Sequence, residues 1–367
     1  MFGAVLTTAV SLMHAYVFWR AATVPFIERI ISRKLLIGTG ILLWIIFYCG
    51  RMYRHDSTGA LALILEMFTM NWTAVLFLTS ICVLAADLVT GFGFLLKKYA
   101  PALRGAALLA GALMSALAFF QAMRTPVVRD YEVRLAELPE RLDGTVLVGV
   151  SDMHLGTLIG KRWLQARVDQ INAMQPDLII MLGDIFEGHG TPQSEMVPAL
   201  RRFEAPLGVW AVLGNHEFYG SSARSIASYS DAGIRVLRNE WIEISPGFVL
   251  AGVDYLGSRR RRGQDGDPVT RALTDRPPGA TVYLSHAPAR FAAAVAQGAD
   301  LMLAGHTHGG QVWPFGYLVM QEYPFLGGQH EVDGMTVIVS RGAGTWGPRM
   351  RLWRPGEIIR VTLRSKD

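Results

Sequence analysis

The stretch Leu301-Met302-Leu303-Ala304-Gly305-His306-Thr307-His308 joins a short apolar run to two histidines that lie two positions apart. A brief apolar run bounded by glycine is typical of a buried strand. In open α/β sheets, ligand-binding side chains follow the carboxyl ends of the strands. The stretch therefore predicts a strand whose end carries side chains able to bind a metal.

Four blocks upstream repeat this arrangement. They are Asp152-Met153-His154, Gly183-Asp184, Gly214-Asn215-His216-Glu217 and His286. The apolar runs that precede them cover residues 145–150, 178–182, 209–213 and 282–284. Carboxylate, amide and imidazole groups suit divalent ions such as Mn, Fe or Zn. Five such blocks after five strand-like runs indicate a site for two metal ions, which commonly catalyses phosphoryl transfer.

Helical spacing appears between the strand-like runs. Residues 161–174 place Leu164, Val168 and Ile171 on one side of a helix. Alternating strands and helices predict a layered α/β domain with central β-sheets flanked by helices. We expect this domain to cover residues 145–367 and a linker to cover residues 125–144.

The first third of the chain has a different composition. Four stretches are long and apolar enough to span a bilayer, namely residues 2–19, 35–48, 71–96 and 103–123. They predict a transmembrane domain of about four helices over residues 1–124. Residues 60–70 are also largely apolar, so the third helix could begin earlier.

The distribution of charge argues against a nucleic-acid-binding protein, although the isoelectric point is about 9.3. Residues 1–124 carry a net charge of +6, whereas the remainder carries 25 basic and 26 acidic residues. The positive charge therefore flanks the apolar stretches, and the globular part lacks the basic surface that long nucleic acids require.

Basic residues in the loops predict an orientation. The loop after the first stretch holds Arg29, Arg33 and Lys34, and the loop after the third holds Lys97 and Lys98. By the positive-inside rule both loops are cytoplasmic. We therefore expect a multi-pass protein of a bacterial inner membrane with its globular domain on the outer, periplasmic or extracellular face.

Two charged features leave alternatives open. Asp87 lies inside an expected span, where it could pair with His14, bind a lipid head group, or lie near the interface beside Lys97. Four consecutive arginines at 259–262 could contact an anionic lipid surface or a pyrophosphate group, or form a solvated loop.

The order Asp-x-His, Gly-Asp, Gly-Asn-His-Glu, His, Gly-His-x-His resembles the calcineurin-like metallophosphoesterase superfamily. The ending Gly-His-Thr-His-Gly-Gly-Gln at residues 305–311 is similar to that of its bacterial membrane-anchored members. The resemblance covers about residues 145–365.

This resemblance implies a role for each block. Asp152, His154 and His308 would bind the first metal. Asn215, His286 and His306 would bind the second, and Asp184 would bridge the two. His216 would stabilise phosphate oxygens or protonate the leaving group. Glu217 is expected to orient a ligand, with a surface position as the alternative. Glu187 and His189 are expected in a solvated loop, with a position at the mouth of the site as the alternative.

One departure from the superfamily narrows the activity. Its serine/threonine protein phosphatases carry Asp-Arg-Gly after the bridging aspartate and an arginine before Gly-Asn-His-Glu. This chain has Ile185 and Phe186 after Asp184, and Leu213 before Gly214. The phosphate-binding arginines are missing, so protein phosphatase activity is not expected.

The expected function is hydrolysis of a phosphodiester or pyrophosphate bond by in-line attack of a metal-bridging hydroxide. The substrate would be a phosphoester, with a lipid or lipid-linked phosphate at the bilayer as one candidate. A nuclease is disfavoured by the net charge of −1 on the globular part. The alternative is a membrane sensor or transport protein whose phosphate-binding domain does not hydrolyse.

Overall fold

A computed structural model describes residues 2–52, 59–189, 192–257 and 267–366. The chain forms two compact units. One comprises residues 1–123 and 347–353, and the other comprises residues 124–346 and 354–367. The four arginines at 259–262 lie outside the described residues.

The first unit is helical. Its helices are α1 (Phe2–Ala21), α2 (Pro25–Ile30), α3 (Arg33–Met52), α4 (Ala60–Val89) and α5 (Ala100–Met123). Four of these are long, which confirms the expectation of about four helices. Within the described residues, α3, α4 and α5 are long and apolar enough to cross a membrane. Helix α1 is not among these three, so the expected span over residues 2–19 stays a prediction.

The bounds of the third expected span shift toward the N-terminus. Helix α4 begins at Ala60 rather than near Asn71, since residues 60–70 continue the same apolar pattern. It ends at Val89 because Gly91 and Gly93 adopt positive φ angles of 57° and 91°. Left-handed backbone cannot continue an α-helix.

Asp87 is fully buried in α4 and is neutralised within the unit. Its carboxylate forms ion pairs with Arg20 at 2.6 Å and with Arg104 at 2.7 Å. The Tyr16 hydroxyl donates to the same carboxylate at 2.7 Å. His14 is not its partner, since the His14 ring lies 2.9 Å from the Gly40 carbonyl oxygen. Asp87 therefore joins α1, α4 and α5.

The described residues of the second unit contain twelve strands. These are β1 (Val127–Leu135), β2 (Val146–Val150), β3 (Leu178–Met181), β4 (Val209–Ala211), β5 (Arg235–Val236), β6 (Glu240–Ser245), β7 (Phe248–Gly252), β8 (Ala280–Leu284), β9 (Leu301–Ala304), β10 (Gly328–Val332), β11 (Met335–Val339) and β12 (Glu357–Ser365). They form two six-stranded sheets with the orders β1-β12-β2-β3-β4-β5 and β10-β11-β9-β8-β7-β6. Strands β2, β3, β4 and β5 run parallel, as do β7, β8, β9 and β11.

The described helices of the second unit are α6 (Lys161–Asn172), α7 (Val197–Leu200), α8 (Asn215–Tyr219), α9 (Ser222–Asp231), α10 (Pro268–Leu273), α11 (Phe291–Ala296) and α12 (Gly316–Val319). Five of them cover the outer faces of the two sheets. Helices α6, α7 and α9 pack on the first sheet through one apolar cluster. Helices α10 and α11 pack on the second sheet through another.

A third apolar cluster lies between the two sheets. Alternate residues of each strand enter it, because side chains alternate between the faces of a strand. In β3, Leu178 and Ile180 belong to this central cluster, whereas Ile179 and Met181 face the helices. The result is the expected layered α/β architecture, with helix, sheet, sheet and helix in succession.

The segment 125–144, expected as a linker, contains strand β1. Residues 127–135 pair in parallel with the whole of β12. Their mixed charge fits an edge strand, because most of them are exposed or half-buried and only Val133 and Leu135 are buried. Charged side chains are a common feature of edge strands.

Candidate metal centre

The five sequence blocks meet at one edge of the two sheets. Asp152 follows β2, Asp184 follows β3 and Asn215 follows β4, all in the first sheet. His286 follows β8 and His306 follows β9 in the second sheet. The carboxyl ends of parallel strands lie at the same sheet edge, which is where this fold class places its sites.

In the part of the chain that the structure describes, three groups of side chains are close enough to hold a metal ion. Within each group the potential ligand atoms lie within 4.8 Å of one another. The groups are Asp152, His154 and His308; His154, Asp184 and His216; and Asp184, His286 and His306. The six expected ligands with a carboxylate or imidazole group are therefore brought together.

Asp184 has the central position in this arrangement. One of its carboxylate oxygens lies 3.2 Å from His286 Nε2 and 4.0 Å from His154 Nε2. His286 and His154 belong to different groups, so Asp184 connects the two ends of the site. A shared carboxylate is the feature that a pair of closely spaced divalent ions requires.

The backbone of the ligand-bearing loops is unusual. Five of the seven expected ligands have positive φ angles: Asp152 (52°), His154 (50°), Asp184 (52°), His306 (72°) and His308 (50°). Asp and His tolerate this left-handed region better than most residues, but each still costs on the order of 1 kcal/mol. The tight turns direct consecutive side chains back toward the sheet edge instead of letting the strand continue.

Close packing explains why glycine precedes one of the ligands. A Cβ atom on Gly214 would lie 2.1 Å from the Asp184 Oδ1 atom. Any larger residue at this position would displace the shared carboxylate. The Asp184 Oδ1 atom is further fixed by the backbone N–H of His216, which donates to it at 2.9 Å.

Hydrogen bonds set the ring nitrogen that each histidine presents to the site. His286 Nδ1 lies 2.8 Å from the Leu182 carbonyl oxygen, so this nitrogen carries the proton. His154 Nδ1 lies 2.5 Å from Glu187 Oε2. In both rings Nδ1 thus has a protein partner, and Nε2 is the nitrogen that faces the other expected ligands, an orientation common around protein metal sites.

Glu217 supports the site from behind. Its buried carboxylate accepts backbone N–H groups of Asp184, Ile185, Phe186 and Gly214 at 2.8–3.0 Å. These four amides belong to the two loops that carry Asp184 and Asn215. Glu217 therefore fixes both loops, in keeping with the expected orienting role.

Glu187 does not lie in a solvated loop, contrary to expectation. Besides its contact with His154, its carboxylate lies 3.4 Å from His216 Nδ1 and 3.6 Å from His189 Nε2. Its backbone carbonyl oxygen lies 3.0 Å from His216 Nδ1. The sequence signal was weak because Glu187 stands three residues beyond Asp184, outside any strand-end motif.

The carboxylates and histidines of the site shift one another's pKa values. Neighbouring carboxylates outweigh burial and raise the pKa of His154 and of His286 to about 9. Burial and the neighbouring Asp184 charge raise the pKa of Asp152. Burial acts against ionisation of Asp184 as well, but His286 and other histidines outweigh it and hold its pKa well below the usual range. Burial and the charge of His286 lower the pKa of His306 to about 3. His306 is thus a neutral imidazole, the form that binds metals.

Asn215 provides a direct test of whether the residues fit a metal. Its side chain is buried, and among the described residues the Oδ1 atom has no hydrogen-bond partner. An orphaned buried acceptor costs about 1–3 kcal/mol. A cation beside Asn215 would satisfy this oxygen, so the donor set of oxygen and imidazole nitrogen atoms fits divalent metal ions.

Comparisons with known proteins agree with this geometry. A model of the calcineurin-like phosphoesterase family matches residues 146–310. An uncharacterized metallophosphoesterase of Aquifex aeolicus is 32% identical over 244 residues, which cover 65% of this chain and 92% of that protein. The chain therefore belongs to the calcineurin-like phosphoesterase family.

Two longer relatives are similar at the same level. An uncharacterized metallophosphoesterase of Campylobacter jejuni is 30% identical over 67% of this chain and 65% of its own length. A transmembrane protein with metallophosphoesterase domain from Danio rerio is 30% identical over 71% of this chain and 62% of its own length. The chain thus spans slightly less than two thirds of these relatives.

Proposed function

We propose that this protein is a membrane-associated, metal-dependent phosphoester hydrolase with two divalent ions. Asp152, His154 and His308 would hold one ion, and Asn215, His286 and His306 the other. Asp184 would contact both. The observation that carries this assignment is that Asp184 belongs to two of the three ligand groups at the sheet edge.

The protein residues have separate tasks in this reaction. Bound metal ions would supply positive charge and lower the pKa of a water molecule toward neutrality. Glu187 and Glu217 position ligands, the former through His154 and the latter through the Asp184 loop. These contacts would hold the ligand side chains in place, and the proposed displacement at phosphorus is in line.

His216 is the proposed acid. The Glu187 carbonyl oxygen and carboxylate both contact Nδ1, which leaves Nε2 for a substrate oxygen. From this position His216 would stabilise a phosphate oxygen or donate a proton to the leaving group. It also lies within ligand distance of His154 and Asp184, so direct metal binding is the competing role.

We propose a phosphodiester or pyrophosphate as the substrate, with a lipid phosphate as the favoured source. The three described helices that are suited to cross a membrane support this choice, because they would keep the enzyme at the lipid bilayer. The charge of the region after residue 124 supports it too, since a net of −1 does not attract long nucleic acids. The proposed location is a bacterial inner membrane, with the catalytic unit on the outer face.

The decisive experiment compares Asp184→Asn with Asp177→Asn in the detergent-purified full chain. Asp177 precedes the same strand, β3, at its opposite end, and accepts a backbone N–H from Val146 at 2.8 Å. Asp184→Asn should abolish hydrolysis of diester and pyrophosphate substrates and reduce metal content below two ions per chain. Asp177→Asn should retain both. Equal activity of the two variants would contradict the proposal.

A sensor or transport protein with a phosphate-binding domain is the second candidate. The membrane helices are the observation that favours it. It predicts two bound metal ions and phosphate binding, but no turnover of monoester, diester, pyrophosphate or lipid phosphate. Turnover that His216→Ala reduces, with metal content unchanged, would exclude it.

A further inference from the structure

The loop that follows the last metal-ligand motif exposes a run of large apolar side chains. We define the apolar loop as residues 312–323; it contains helix α12. Its exposed large apolar residues, with their exposed fractions, are Trp313 (39%), Phe315 (40%), Tyr317 (66%), Leu318 (56%) and Met320 (51%). The loop carries no charge until Glu322.

Exposed apolar side chains are concentrated here and not spread over the domain. In the described part of the second unit, three other large apolar residues are exposed: Val127, Tyr219 and Trp346. Tyr219 and Trp346 both lie against the His216 ring, with ring centroids 5.2 and 6.3 Å apart. Seven of the eight therefore belong to the apolar loop or to the surroundings of His216. Contiguous exposed apolar patches mark interaction sites.

Both ends of the apolar loop are fixed to the metal centre. Its first residue follows Gln311, whose side chain donates to the Trp346 carbonyl oxygen and accepts the Trp346 backbone N–H, both at 2.9 Å. Its last residue, Tyr323, has its ring centroid 5.0 Å from that of His306. A molecule that binds to the exposed middle of the apolar loop would therefore lie close to the proposed metal-binding side chains.

The chemistry of the loop matches a bilayer surface. Tryptophan and tyrosine combined with leucine, phenylalanine and methionine form the apolar side of interfacial segments. A chain with membrane-crossing helices is already restricted to a bilayer. We propose that the apolar loop inserts into the bilayer surface and presents lipid phosphates to the metal centre. The presentation of lipid phosphates rests on the proposed hydrolytic function, whereas the insertion of the loop into the bilayer does not depend on it.

Insertion can be measured without any enzymatic activity. Full-length protein in lipid nanodiscs would carry Cys49→Ala and Cys82→Ala, with Leu318→Cys as the fluorophore attachment site. Ala166→Cys, an exposed position on α6, is the matched control. Nitroxide-labelled phospholipids should quench the label at position 318 and not the label at position 166. No quenching at 318, or equal quenching at both positions, overturns the proposal.

A second copy of the chain is the competing occupant. If it covered the loop, Leu318→Cys would give disulfide-linked dimers in nanodiscs that hold two copies, and lipid quenching would be absent. That result would also overturn the proposal.

The substrate part needs a comparison of two substrates. A triple variant with Tyr317→Ser, Leu318→Ser and Met320→Ser should lower kcat/KM for a phospholipid in mixed micelles by ~10-fold or more. Hydrolysis of bis(p-nitrophenyl) phosphate should change less than about twofold. A triple variant with Tyr317→Phe, Leu318→Ile and Met320→Leu should retain lipid hydrolysis.

The outcomes separate this inference from the proposed function. Equal losses on both substrates would show that the loop supports the site and does not deliver lipid, which overturns the substrate part. If wild type hydrolysed no phosphoester at all, the proposed function would fail, while the quenching experiment would still decide whether the loop inserts.

Discussion

The two units bury carboxylates in opposite ways. In the helical unit, Asp87 has two arginines and a tyrosine hydroxyl as partners, so its charge is matched within the chain. At the metal centre, the ionic partners of Asp152 and Asp184 in the described residues are histidines. The first arrangement is complete without a ligand, whereas the second collects negative charge and electron pairs for cations. Burial of a carboxylate alone therefore does not identify a site; its partners do.

The largest predicted effect concerns Asp87. Asp87→Ala should lower the free energy of unfolding by roughly 3–5 kcal/mol, because it leaves Arg20 and Arg104 buried and uncompensated. Glu28→Ala on α2, at an exposed position, should cost much less. Reversible unfolding in mixed micelles measures both. If both variants lost the same free energy of unfolding, the buried ion pairs of Asp87 would not stabilise the helical unit more than an ordinary carboxylate does.

Gly214→Ala tests the tight packing behind Asp184. The added Cβ would displace the shared carboxylate, and a displacement of about 1 Å is expected to reduce kcat by ~100-fold. Gly160→Ala is the control, because a Cβ there meets nothing within 4 Å. Steady-state rates and metal content of both variants give the result. Full activity of Gly214→Ala would mean that Asp184 does not need its present position.

Glu217→Gln should have a smaller effect on catalysis. Glutamine keeps one acceptor oxygen but replaces the other with a donor, which cannot pair with the backbone amides of Asp184 and Gly214. We expect a loss of activity of ~10-fold and weaker metal binding. Activity measured against metal concentration should shift to higher concentrations. Glu195→Gln, at an exposed position, should leave this curve unchanged.

The smallest predicted effect is a change in stability at Asp152, whose charge, unlike that of Asp87, is not matched by arginines within its unit. A chelator should lower the thermal stability of wild type, because bound ions stabilise the folded state. In chelator, Asp152→Asn should be more stable than wild type by about 1 kcal/mol, since it removes a buried charge next to Asp184. With metal restored, the order should reverse. Thermal unfolding of Asp152→Asn and wild type, with and without chelator, measures the stability difference in each condition. If Asp152→Asn were less stable than wild type in both conditions, the prediction would be wrong.

Strand-end motifs made much of the site predictable from sequence. Asp152, Asp184 and His286 each follow an apolar run, and parallel strands bring their ends together at one sheet edge. The family resemblance then assigned individual roles, including that of Asn215. These assignments stay predictions until metal binding is measured.

Other contacts depend on tertiary structure and had no local signal. The partners of Asp87 lie on α1 and α5, which sequence spacing cannot bring together. Glu187 was misjudged because its contact with His154 requires the loops after two strands to be adjacent. Strand β1 was expected as a linker, since its mixed charge hides the alternation typical of a strand and its pairing partner is the distant β12.

The origin of the ligands gives the metal ions a mechanical role. Asp152 and His154 come from the first sheet and His308 from the second, and Asp184 likewise meets His286 and His306 across the boundary between the sheets. Each ion would therefore act as a cross-link that closes a long loop of chain, with an entropic gain that grows slowly with loop length. Assembly of the centre must await synthesis of the second sheet, so the membrane helices are made and can be inserted before either cross-link forms.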